Sequence, residues 1–200
     1  MKSFDLKILI TILAVSLILM SCEKKDNNID DNKKNNETSK SFEYSVRYEK
    51  RYEGENNLTP YVPVEVLTVS TTSKLCRLDY YFYHGPRAVM LVNAANKTAR
   101  WYNNDNWEDV DYDATSYYNS AIKQVPNTSK YPKREVAGKI CTVFLETYNR
   151  GTIETAYWNG ILMYEAVSDE NSKTIKEATS VILKIPAHAF SEETIEVDWF

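Results

Sequence analysis

The chain has 200 residues, 43% apolar and 26% charged, with a formal net charge of −4 and a mean hydropathy of −0.48. Its acidic balance, 24 Lys and Arg against 28 Asp and Glu, excludes the basic face on which nucleic-acid binders rely. Fifteen Tyr against five Gly exclude low-complexity disorder and glycine-rich phosphate loops for the chain as a whole.

The first stretch, residues 1–21, carries Lys2 and Lys7 ahead of a run from Ile8 to Met20 in which only Thr11 and Ser16 are polar. Thirteen helical residues reach roughly 20 Å, short of a hydrocarbon core of about 30 Å. The segment therefore reads as a secretory signal and not as an anchor helix. Leu19-Met20-Ser21-Cys22 resembles the lipobox of bacterial lipoproteins. The resemblance implies cleavage before Cys22 and a diacylglyceryl group on its sulfur. Two or three acyl chains give stable membrane anchoring where one gives only marginal binding.

The second stretch, from the lipid-bearing Cys22 to Ser41, has one aliphatic side chain, Ile29. Its five Lys are balanced by three Asp and two Glu, and five Asn fill the gaps. It cannot bury enough surface to offset chain entropy and reads as a disordered tether. Glu23, not Asp, follows Cys22, so nothing resembles an inner-membrane retention signal. Glu23-Lys24-Lys25-Asp26 resembles the charged surface-export signals of Bacteroidetes lipoproteins. The expected address is the outer membrane, on its periplasmic or its cell-surface face.

Residues 42–200 form the third stretch, of single-domain size. Removing the signal (Lys2, Lys7 and Asp5, net +1) and the neutral tether leaves it at −5, and it holds every Tyr and Trp. Phe42 to Tyr48 alternates apolar and polar residues, as a half-buried strand does. Residues 61–71, 74–83, 87–93 and 97–102 are further β-branched and aromatic runs. Ala114, Tyr118, Ala121, Ile122 and Val125 then fall on one helical stripe, with Asp111 or Asp113 as cap and Pro126 as stop. Residues 139–148, 152–158, 161–167 and 174–185 return to strand patterns, and Asn159-Gly160 is a strong hairpin signal. The predicted fold class is mainly β with one helix (α+β). Its architecture is a large curled antiparallel sheet or half-barrel of about 9–11 strands covering that helix.

Glu135-Val136-Ala137-Gly138-Lys139-Ile140-Cys141, the later Tyr157-Trp158-Asn159-Gly160-Ile161, and Ile185-Pro186 before Phe190 carry a second resemblance. They are similar to the turn-and-strand motifs of the LolA/LolB-like lipoprotein-carrier half-barrels and their uncharacterised relatives. The resemblance implies an open barrel, a helix in its mouth and an apolar cavity for acyl chains. The receptor member's exposed Leu-bearing loop has no counterpart here.

Cys76 and Cys141 remain once Cys22 is lipidated. They form either a structural disulfide, worth about 3–4 kcal/mol on the chain-entropy model, or two buried thiols. Cys76 shares a strand face with Leu78, Tyr80 and Phe82, and Cys141 with Val143 and Leu145, so both are expected to point inward. His84 and His188 have no partner at ligand spacing. Asp109-x-Asp111-x-Asp113 copies the start of a calcium loop, but Ala114 stands where Gly is needed and Ser120 where the last Glu belongs. No metal or cofactor is expected. There is no nucleophile elbow and no P-loop. The expectation is a non-catalytic, membrane-anchored binder of an apolar or amphiphilic, lipid-like ligand. Its candidate contacts are Tyr80, Phe82, Trp101, Trp107, Tyr118 and Trp158. The rival is an adhesion or polysaccharide-binding module that uses exposed aromatics.

Overall fold

The computed structural model describes residues 43–54, 62–84, 87–103, 106–111, 113–121, 130–186, 188–193 and 200. The chain divides into Met1–Ser39 and Lys40–Phe200, and every described residue belongs to the second unit. The signal, Cys22 and the tether lie outside the described residues, as do Ile122, Val125 and Pro126 of the helical stripe.

Six strands precede the helix: β1 (Glu43–Gly54), β2 (Val64–Ser70), β3 (Leu75–Tyr81), β4 (Ala88–Asn93), β5 (Thr98–Asn103) and β6 (Asn106–Asp109). After α1 (Ala114–Ala121) come β7 (Lys133–Val136), β8 (Lys139–Tyr148), β9 (Gly151–Trp158), β10 (Ile161–Ser168) and β11 (Ser172–Ile182). All eleven form one open, curled antiparallel sheet in the order β6-β5-β4-β3-β2-β1-β11-β10-β9-β8-β7, consistent with a half-barrel. Two meanders thus meet where β1 pairs β11, from Ser45 opposite Ile182 to Gly54 opposite Ser172. In chain order the helix falls between the strands at the two sheet edges, β6 and β7.

Local chemistry sets the joints. Asn159 and Gly160, at φ 50° and 83°, form the two left-handed positions that a tight hairpin between β9 and β10 requires. Ala137 and Gly138, at φ 46° and 70°, do the same between β7 and β8. Asp113 caps the helix, accepting from the Thr115 and Ser116 amides at 3.1 and 3.0 Å.

Residues paired across an antiparallel ladder share a face, so the registers sort every side chain onto a helix face or a reverse face. From β1 to β5 both faces are buried. The helix face there holds Tyr44, Val46, Tyr48, Leu67, Val69, Leu78, Tyr80, Met90 and Trp101. Helix residues Ala114, Tyr117 and Tyr118 close over it. The reverse face holds Val66, Thr68, Arg77, Asp79 and Val89. Residues 188–193 cross it, with Arg77 Nη1 donating to the Ala189 carbonyl at 3.0 Å and Trp107 Nε1 to that of Glu192 at 3.2 Å.

Beyond β11 the buried side changes. Val136, Cys141, Ala156, Ile161, Tyr164, Ala166 and Ile175 lie on the reverse face and are 0–3% exposed. This half curls about that face. The Arg134 guanidinium, from β7, stacks 3.6 Å from the Tyr164 ring centre on β10, and β7 comes within 8 Å of β11. The small side chains of Cys141, Ala156 and Ala166 suit the inside of a tight curl.

The bridge between Cys76 and Cys141 does not form: both are free, buried thiols. Cys76 points to the helix face and Cys141 to the reverse face, six strand steps apart, or about 29 Å along the sheet. A disulfide needs Cα atoms within about 7 Å and facing Cβ vectors. Inward meant one side in the first half and the other side in the second. Burial pushes both thiols up, Cys76 strongly, which makes them poor nucleophiles. A Cys22→Ser chain is therefore expected to show no fast thiol titration when native and two thiols when unfolded. Reductant should leave its unfolding midpoint unchanged; a drop of several degrees on reduction would contradict the assignment.

Candidate functional site

Three of the predicted contacts come together, but as core. Tyr80 and Trp101 pack 5.7 Å apart between ring centres, and the Tyr80 hydroxyl shares a hydrogen bond of 3.2 Å with that of Tyr117. Tyr118 donates to the Ser70 carbonyl at 3.4 Å, and Tyr44 to that of Ala121 at 3.0 Å. Burial raises the pKa of Tyr44, Tyr48 and Tyr117 well beyond the ordinary phenol, so they stay neutral donors. These rings fill the space between helix and sheet.

The other predicted contacts are scattered. Phe82 is half-buried just past the end of β3. Trp107 lies on the reverse face against Tyr102, at 5.3 Å. Trp158 sits at the β9–β10 hairpin with the Lys139 ammonium 4.8 Å from its ring centre. The acidic run has structural partners: Asp109 pairs with Arg100 at 2.9 Å, and Asp113 caps the helix. Among the described residues no group of His, Cys, Asp or Glu is placed to hold a metal ion.

A different surface is left open. Among the described residues α1 packs chiefly on β3 and β4, and the helix face of β8 and β9 is partly exposed. Ile140, Phe144 and Tyr148 of β8 share this face with Ile153 and Tyr157 of β9 and Val167 of β10. Tyr131 stacks 4.6 Å from Phe144, which meets Tyr157 edge-on at 6.0 Å. Ile140 is 63% exposed, Tyr131 39% and Tyr148 38%. Burial raises the Tyr157 hydroxyl to about 12, so that ring too is neutral.

The stripe runs to the end of the sheet where the β8–β9 and β10–β11 turns lie beside the end of β1. There Tyr52, Arg150, Asp169, Glu170, Asn171 and Ser172 line an open hollow of about 550 Å³. Tyr52 belongs to the same helix face, opposite Thr174, and the Tyr148 hydroxyl donates to the Ser168 carbonyl at 3.2 Å beside the hollow. Stripe and hollow are one surface.

This surface left little trace in the sequence. Period-two alternation in β8 does carry it (Ile140, Phe144 and Tyr148 on one face). The other face, Cys141, Val143 and Leu145, is equally apolar, and Leu145 is itself 64% exposed, so the alternation does not single out one face.

No protein-family model matches the chain, and no curated protein does. Among solved structures, a P21 crystal form of PNGF-II is similar at 17% identity and a TM-score of 0.46, covering 74% of this chain and 30% of that one. A C2 form of PNGF-II gives 17%, 0.43, 76% and 30%. The chain thus spans under a third of the length of PNGF-II. A DUF1329 family protein from Desulfovibrio piger ATCC 29098 is similar at 10% identity and a TM-score of 0.27, covering 79% of this chain and 93% of that one.

Proposed function

We propose that this chain is an outer-membrane lipoprotein, anchored through Cys22, whose sheet domain binds saccharide on its outer face and does no chemistry of its own. The observation that carries the reading is the uncovered stripe of Tyr131, Ile140, Phe144 and Tyr148 running into a polar hollow. Sugar rings present flat C–H faces to aromatic side chains and hydroxyls to polar ones, and a stripe beside a hollow offers both.

The lipid-like ligand expected from the carrier resemblance has less support. Ligand sites for apolar molecules bury 70–90% of the ligand within concave walls. Here the space under the helix is occupied by Tyr44, Tyr48, Tyr80, Trp101, Tyr117 and Tyr118, and the exposed stripe lies on the sheet surface without enclosing walls among the described residues. Anchoring rests on Leu19-Met20-Ser21-Cys22 and on the tether behind it.

Native gel electrophoresis through soluble polysaccharides tests the reading. Retardation is expected in at least one of mannan, dextran, xylan or alginate. Phe144→Ala, with unfolding checked separately, is expected to weaken it about tenfold, as loss of a central aromatic contact does. Uptake of a fluorescent fatty acid with no retardation in any gel would return the lipid reading to first place.

A further inference from the structure

We infer that the hollow at the rim of the sheet is a subsite for one neutral sugar residue. Arg150 and Glu170 would grip two adjacent hydroxyls while the Tyr52 ring covers a C–H face. The inference rests on the saccharide reading and gives it a ligand class.

Not every group in the hollow is available to a ligand. The Asp169 carboxylate accepts from the Asn171 amide at 2.9 Å and from the Ser172 amide and hydroxyl at 2.7 and 2.8 Å, so it holds the turn. Arg150 and Glu170 are different. Neither forms an ion pair with any described residue, although both line the same hollow. A guanidinium only donates and a carboxylate only accepts. A free carboxylate or phosphate would suit Arg150 and be repelled by Glu170 and Asp169. An ammonium would suit Glu170 and Asp169 but be repelled by Arg150. Two neighbouring hydroxyls, each donor and acceptor at once, satisfy both side chains without a net charge.

Two glycines shape the hollow. A Cβ on Gly54 would lie 2.9 Å from Cε1 of Tyr52 and 3.2 Å from the Asn171 carbonyl oxygen, so the Tyr52 ring lies directly against the bare glycine beside the 169–172 turn. A Cβ on Gly151 would lie 1.8 Å from the Ser168 carbonyl oxygen. Glycine there lets the start of β9 close on the end of β10 and brings Arg150 beside the 169–172 turn.

The test uses the full-length chain in neutral detergent, run on native gels cast with mannan, dextran, xylan, alginate or polygalacturonate and compared with sugar-free gels. The wild type is expected to be retarded in at least one neutral gel. Arg150→Ala, Glu170→Gln and Tyr52→Ala should each weaken that retardation about tenfold, and their unfolding midpoints should stay near wild type because these groups are at the surface. Full retardation in all three, with loss in Phe144→Ala, would overturn the subsite and leave the saccharide reading standing. Retardation only in the acidic gels would overturn the neutral class. No retardation of the wild type in any gel would overturn both.

Discussion

Asp79→Ala is expected to cost about 3–5 kcal/mol of stability, the usual loss when one partner is removed from a buried ion pair. Arg77 and Asp79 are both fully buried on the reverse face of β3, and Arg77 reaches the carboxylate through Nε at 3.0 Å and Nη2 at 2.9 Å. Arg87 donates to the same carboxylate. Without it two guanidinium groups would face each other under residues 188–193 with no counter-charge. A loss of that size lowers the midpoint of a domain this large by roughly 10 °C or more, read by thermal or urea unfolding. The paired change Arg77→Met with Asp79→Leu should cost less than Asp79→Ala alone, because it removes the charges together with their partner. A midpoint within two degrees of wild type for Asp79→Ala would show that the cluster is not held in this way.

The second large effect appears in acid. Glu65 is buried on the helix face of β2, where Lys50 pairs with it at 2.7 Å and Lys176 donates to its other oxygen. Burial alone would raise its pKa, but Lys176 and then Lys50 outweigh burial and hold it at about 2 against an ordinary 4.5. A group lowered in the folded state adds stability above its unfolded pKa and loses it as pH falls toward the folded one. The contribution is about 3 kcal/mol. It is complete above pH 5 and fades between about 4.5 and 2. Urea midpoints measured from pH 6 to pH 3 should therefore fall more steeply for the wild type than for Glu65→Gln, which has no proton to gain. Parallel slopes would contradict this. The pair also touches the seam of the sheet: the Lys176 ammonium lies 4.4 Å from the centre of the Tyr48 ring, whose hydroxyl donates to the Leu162 carbonyl at 2.8 Å.

Strand alternation made most of the ladder legible, and Asn159-Gly160 and Asp113 were readable as turn and cap because backbone geometry demands those side chains. Strands β6 and β7 escaped notice because they are edges. Each is four residues long and rich in charge, Asn-Trp-Glu-Asp and Lys-Arg-Glu-Val, which protects an edge from pairing with another chain and erases the apolar pattern. The choice between a bridge and two buried thiols stayed open for a related reason. Period two says which residues share a face, but not that one sheet turns its buried side over between β1 and β10. In the aromatic run at 80–83 both faces are partly covered, and Tyr83 at its end is 58% exposed. Tyr80 lies under the helix, and Tyr81 lies beneath the Arg87 guanidinium at 5.1 Å. The hollow left no mark in the sequence because Tyr52, Arg150 and Glu170 sit about a hundred residues apart or in separate turns, and the β1–β11 and β9–β10 ladders together bring them to one place.

That ladder also governs assembly in time. The first of the described strands has the last of them as a neighbour, with Val46 opposite Val181 and Arg51 opposite Ile175. Contacts so distant along the chain raise the contact order, and folding slows because loop closure must precede the gain from pairing. The central strand β1 has only β2 beside it until β11 arrives, so the ladder at the middle of the sheet is the last piece the chain can supply. A nascent or half-threaded chain can zip β1 to β6 early and still lack the strand that joins the two meanders. Such a chain stays open until the segment that carries β11 is delivered.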